Sequence, residues 1–254
     1  MRRLAAALIL CCLALPVRAQ FAADTSSAAV FRASQLIAPA VLGGAALALH
    51  FGAHESVEIP VNEWFTSTPE RALPFIEAAG NIGQYVPSAL HLGLGLAGVK
   101  SKRPFADRVI ESAIAHAISI GAGYAIKYSF KVQRPDGGYK SFPSGHTLMA
   151  FTGAELMRID YGNGIGAGAY VFSAAVGASR LAAGRHWLSD LLAGAGIGIL
   201  SAHAGEWLLQ PVKNLLGLPE FSWDGFSSRP VSIALLPGAD PVSGTPTVGA
   251  ALVF

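Results

Sequence analysis

Cysteine is almost missing from this chain: its two copies, Cys11 and Cys12, stand side by side near the start of 254 residues. Beyond them neither a disulfide nor thiol chemistry is available. Charge is scarce as well. Asp, Glu, Lys and Arg make up 13% of the residues, where soluble domains carry about a quarter. With a mean hydropathy of +0.45, this balance points towards lipid. No Cys/His cluster shows metal-ligand spacing and no group of carboxylates suggests a two-metal centre, so no metal or other cofactor is expected. His50, His54, His91, His116 and His203 share no spacing and read as packed or helix-surface residues.

What is present begins with Arg2-Arg3, an apolar run from Leu4 to Leu15, and Val17-Arg18-Ala19 before Gln20. That pattern predicts a secretory signal peptide over residues 1–19, since the run is short for a bilayer span. Cleavage there would remove both cysteines and three arginines, leaving fifteen basic against sixteen acidic residues. A near-neutral chain offers no footing for nucleic acid. The expected destination is the bacterial cell envelope, in or beyond the inner membrane.

Apolar stretches of helical length recur at 34–53, 84–99, 109–126, 147–158, 164–179 and 188–209. They are rich in Ala, Gly, Ile and Leu and lack strand-like alternation, which predicts an all-α fold of about six helices. Residues 20–83 read as an N-terminal helix and linker, 84–210 as the core, and 211–254 as a tail. In the tail, 231–236 and 247–254 predict a short β-hairpin.

Three short runs carry chemistry: Lys127 with Arg134-Pro135, then Pro143-Ser144-Gly145-His146, then Ser179-Arg180 with His186 and Asp190. Phosphoryl transfer is mostly positioning and neutralisation of charge on the non-bridging oxygens. Lys127, Arg134 and Arg180 supply cations, the arginines as planar forks. Ser144 and Gly145 precede an apolar stretch, so they read as a helix start whose free N–H groups favour an anion. His186 and Asp190 are four apart, one helical turn, where a carboxylate can hold Nδ1–H and leave Nε2 as the nucleophile. His146 remains as the candidate general acid. Arg185 reads as solvent-facing. The runs are not a by-product of common Arg-Pro pairs: the position seven before Arg103 is Leu96, and seven before Arg229 is Ser222.

In these three runs the chain resembles the type 2 phosphatidic acid phosphatases and vanadium haloperoxidases, over about residues 84–210, with 127–190 diagnostic. The resemblance implies a helical bundle and a metal-free phosphatase working through a phosphohistidine. It implies His186 as nucleophile, Asp190 as its orienter and His146 as acid, with Lys127, Arg134, Ser144, Gly145 and Arg180 binding phosphate. One departure is visible: seven residues, 136–142, separate the first two runs, fewer than most members of the family carry.

The expected substrate is a phosphorylated lipid or small phosphoester, cleaved at a phosphate or pyrophosphate at the periplasmic face. The alternatives are a soluble periplasmic acid phosphatase, a vanadium haloperoxidase and a non-catalytic lipid-phosphate binder. Whether the chain spans the membrane is contested within the sequence. Glu111, His116, Glu155, His203 and Glu206 interrupt the apolar stretches. Lys100, Lys102, Arg103 and Arg108 cluster opposite the candidate site, which the positive-inside rule reads as cytoplasmic. The number of spans and the oligomeric state stay open.

Overall fold

A computed structural model of the chain describes residues 29–67, 69–218, 232–239 and 246–253. The expected signal peptide lies outside them. Eight α-helices occur among the described residues: α1 Ile37–Gly52, α2 Ile59–Thr66, α3 Leu73–Gly83, α4 Val86–Leu96, α5 Phe105–Ser129, α6 Gly145–Tyr161, α7 Asn163–Ala182 and α8 Leu188–Leu216. Six correspond to the expected apolar stretches. The other two, α2 and α3, lie in the segment expected as linker. At 1.5 Å per residue, neither eight nor eleven residues reaches across a bilayer core of about 30 Å.

The expected end of the core near 210 falls short. Helix α8 continues through Pro211 to Leu216, where Gly217 closes it in the left-handed conformation. Lys213, almost fully buried, donates to Asp107 Oδ1 of α5 at 2.8 Å and holds this last turn to the bundle. In the tail, β1 Ser232–Ala239 and β2 Pro246–Val253 pair antiparallel, with Ser232 opposite Val253.

Helix α6 is the centre of the bundle, packed against α4, α5, α7 and α8, while α8 also packs on α1 and α5. Small residues permit this. A Cβ at Gly194 would stand 2.7 Å from the Ser144 carbonyl oxygen, and one at Gly198 would stand 2.6 Å from that of Leu148. Glycine at these two positions lets α8 press directly on the backbone of α6, the mode of packing common in membrane bundles.

Outward faces are apolar. Phe51, Trp64 and Phe75 are 76%, 69% and 79% exposed. Ala33–Gly52, Phe105–Ser129 and Asn163–Ala182 are long and apolar enough to cross a membrane by length and composition.

The polar residues that interrupt the apolar stretches turn out to be paired inside. Arg103 reaches Asp160 and Glu206 at 2.8 Å and Glu111 at 3.3 Å. Glu155 takes Arg158 at 2.5 Å and His203 at 2.8 Å, and His116 meets Ser88 Oγ at 2.8 Å. Arg108 is buried against Tyr161 and the His91 carbonyl. Two of the four basic residues expected in an aqueous loop, Arg103 and Arg108, are therefore internal, and the positive-inside argument keeps only Lys100 and Lys102.

Candidate active site

The chemistry-bearing runs fall at helix ends because the chain reverses there. Lys127 lies in the last turn of α5, Ser144 caps α6, Arg180 lies in the last turn of α7, and His186 precedes α8. Alternating helix direction puts all four ends on one side of the bundle. The short connection between α5 and α6 folds tightly on itself: Arg134 N–H donates to the Gly138 carbonyl (2.7 Å) and Ser141 N–H to that of Val132 (2.9 Å).

His186 is 3% exposed, and its Nδ1 lies 3.3 Å from Asp190 Oδ2. The two are not on one face of a helix, as the spacing suggested. Trp187 is the N-cap of α8 and His186 stands before it, while Asp190 occupies the third helical position and accepts from Trp187 N–H at 2.8 Å. The carboxylate thus caps the helix and faces the imidazole at once, which is why the four-residue spacing still brings them together. Ser141, fully buried, also donates to Asp190 Oδ2. The Ser144 N–H donates to the Asp190 carbonyl at 3.0 Å, joining the second run to the third.

Ser144 is fully buried, and its Oγ accepts from Thr147 Oγ1 at 3.1 Å. Gly145 opens α6 with free space where a Cβ would stand, so the backbone there is open to a close-lying anion. Lys127 Nζ donates to the Lys140 carbonyl at 2.9 Å. The Nε atoms of Arg134 and Arg180 are buried without a hydrogen-bond partner. Two unpaired guanidinium donors in a cationic cluster are what a tetrahedral anion would satisfy.

His146 feels the whole cluster. Burial first, then Arg180, His186, Lys127 and Arg134, push its imidazole down to about 4. Burial also holds His186 below its ordinary value, with Asp190 pulling the other way and Lys127 and Arg134 adding to the depression. Both rings are therefore neutral near pH 7, a state that leaves a nitrogen lone pair for nucleophilic attack.

Residues outside the three runs complete the arrangement. Asn81 Oδ1 accepts from His146 Nε2 at 2.8 Å and from Arg180 at 3.4 Å. Arg185, expected in solvent, pairs with Glu77 at 2.8 Å and Asp136 at 2.9 Å. With Trp187 Nε1 donating to the Gln133 carbonyl (2.8 Å), it ties the α5–α6 connection to the entry of α8. Asn81 and Glu77 come from α3, which carries none of the motifs, and nothing in their local sequence marks them. Ser141, two residues before Pro143, lay within reach of a search for buried hydroxyls beside the Pro-Ser-Gly-His run.

Comparison with known proteins agrees with the resemblance carried by the three runs. Residues 108–212 match the model of the PAP2 superfamily. Over 133 residues the chain is 36% identical to a lipid A 1-phosphatase of Porphyromonas gingivalis, a stretch covering 50% of this chain and 30% of that protein. The chain thus spans about a third of the length of that relative. Among solved structures, LpxE of Aquifex aeolicus aligns with a TM-score of 0.46 at 22% identity, over 59% of this chain and 94% of that one. A transmembrane PAP2-type phosphatidylglycerolphosphate phosphatase of Bacillus subtilis aligns with a TM-score of 0.48 at 18% identity, over 74% and 98%.

Proposed function

We propose that this chain, with a PAP2 superfamily segment at residues 108–212, is a metal-independent phosphatase that cleaves phosphate from lipid-linked esters at the periplasmic face of the membrane. The observation that carries this is a neutral, buried His186 backed by Asp190 within a cluster formed by Lys127, Arg134, Arg180 and His146.

In the proposed reaction Lys127, Arg134, Arg180 and the N–H groups at the start of α6 hold the phosphoryl oxygens. Nε2 of His186 attacks phosphorus and the ester P–O bond breaks. Asp190 keeps the proton on Nδ1 and stabilises the ring as it becomes cationic. His146 gives a proton to the departing oxygen. It then takes one from a water that attacks phosphorus as the P–N bond breaks, which releases phosphate and restores His186.

The lipid preference rests on the apolar outer faces and on the relative named as a lipid A 1-phosphatase. Phosphorylated lipid A therefore heads the candidates, followed by phosphatidic acid, phosphatidylglycerol phosphate and undecaprenyl diphosphate. The periplasmic orientation rests on Lys100 and Lys102 in the connection at the opposite end of α5.

A screen of purified protein against lipid and soluble phosphoesters, with and without detergent, tests both activity and substrate class. The expected result is phosphate release from lipid phosphates, inhibited by vanadate and abolished in His186→Ala. Wild-type turnover by His186→Ala would remove the nucleophile from the proposal, and activity confined to soluble esters would favour a broad-range acid phosphatase.

A further inference from the structure

Beside the entry of α8 lies a second group of side chains that the proposed phosphatase chemistry does not use. His50, His54 and Glu58 each direct one donor atom into a common space, all within 4.8 Å of one another. They follow at intervals of four, on successive turns where α1 gives way to a single π-helical turn at His54–Glu58. In the sequence His50 and His54 stand out as no cluster; the interruption at Ala53 hides that one face continues through it.

We infer that His50, His54 and Glu58 form a binding site for a zinc-like divalent cation that clamps the α1–α2 segment to the entry of α8. Two imidazoles and one carboxylate are the donor set suited to zinc, at distances of about 2.0–2.2 Å with one position left open. In such a tetrahedron neighbouring donors stand about 3.3 Å apart, so the His54–Glu58 pair at 2.8 Å opens slightly and His50 closes on it by at most about 1.5 Å.

The charge balance points the same way. Glu58 is fully buried, yet among the described residues no lysine or arginine forms an ion pair with it. Its Oε2 meets His54 Nδ1 at 2.8 Å, and its Oε1 accepts from the Ser189 N–H at 2.7 Å. A carboxylate anchored by a backbone donor on its outer oxygen is typical of a metal ligand held in place by its surroundings. His50 Nδ1 is buried with no hydrogen-bond partner. Both histidines are partly open to solvent, which gives an ion access.

The other grouping of this kind among the described residues, His91, Glu111 and Asp160, provides a contrast. There the Arg103 guanidinium already bridges Asp160 at 2.8 Å and Glu111 at 3.3 Å, so the carboxylates have their cation.

The position gives the site its consequence. Ser189 directly precedes Asp190, the His54 ring lies 4.7 Å from that of Trp187, and the His50 ring lies 6.0 Å from that of Phe142. An ion here stiffens the two segments that carry His186 and Ser144 without touching the phosphate pocket.

Binding can be read without turnover, so its outcome is separate from that of the phosphatase proposal. Full-length protein stripped with chelator is titrated with Zn(II), and with Co(II) for its visible absorption. One equivalent of Zn(II), a raised Tm and the intense bands of four-coordinate Co(II) are expected. His50→Gln should weaken binding by about 100-fold or more, since even outer partners of metal ligands are worth 10- to 100-fold. That variant keeps the His54–Glu58 contact and is expected to fold; His116→Gln serves as a control with unchanged binding. No uptake by the wild type, or uptake that His50→Gln leaves intact, overturns the assignment and leaves His54 and Glu58 as a simple hydrogen-bonded pair.

Discussion

A phosphate arriving beside His146 reverses the charge that surrounds that ring. The cations and burial that hold it at about 4 are offset by the negative oxygens they bind, so the ring can carry a proton in the complex while staying neutral without substrate. His146→Ala should therefore slow release of an alkyl or sugar phosphate by about 100- to 10,000-fold. With p-nitrophenyl phosphate, whose leaving group needs no proton, first-turnover release of the leaving group should be slowed far less, although the later attack of water is slowed for both esters. Equal losses in that first-turnover step would show that His146 is not the acid. The depression also has a sign in stability. Folded His146 and His186 bind a proton less readily than the unfolded chain, whose histidines titrate near 6.5. Their contribution is whole above that value and is lost as pH falls below it, for His146 down to about 4. Denaturation of wild type and His146→Gln at pH 7 and pH 4.5 checks this: acidification should cost the wild type more.

At the scale of elements, the site depends on how closely α8 lies on α6. The Asp190 carbonyl meets the Ser144 N–H only because glycine lines the contact, with Gly194 facing the Ser144 carbonyl and Gly198 that of Leu148. Gly198→Ala places a methyl group 2.6 Å from a backbone oxygen that cannot swing aside. A loss of about 1–3 kcal/mol is expected, as for other overpacked cores. Gly168→Ala in α7 meets nothing within 4 Å and should be neutral or slightly stabilising, since alanine is the better helix former. Thermal unfolding of the two variants in detergent compares them directly. The entry of α8 shows the same economy: one carboxylate, Asp190, caps the helix, receives Ser141 and orients His186.

Over the whole molecule, polarity is sorted by end. The cations proposed to hold phosphate gather where α5 and α7 finish, and the opposite end holds the network of Arg103, Glu111, Asp160, Glu155, Arg158, His203 and Glu206. Because these groups pair with one another inside, they leave the outward surface apolar. Arg103 is the hub. Arg103→Ala would leave Asp160, Glu111 and Glu206 without their shared cation, and breaking a buried pair of this kind costs about 3–5 kcal/mol. The expected observation is a large fall in Tm or loss of folded protein, in contrast to Lys102→Ala, whose side chain is half exposed.

The helices and the three runs were legible in the sequence because each depends on residues near one another in the chain: apolar stretches, a cap, a four-residue spacing. So were the roles proposed for Lys127, Arg134, Ser144, Gly145, His146, Arg180, His186 and Asp190, since the chemistry of phosphate restricts which side chains can serve. Only the tertiary structure could bring Asn81 to His146, Glu77 to Arg185 and Glu58 to the Ser189 N–H, across separations of 65 to 131 positions. It alone decided that Arg103 and Arg108 are inside. The physical reason is common to all of these: a polar side chain in a dry interior takes whichever partner the packing of distant helices delivers, and no local pattern records that choice.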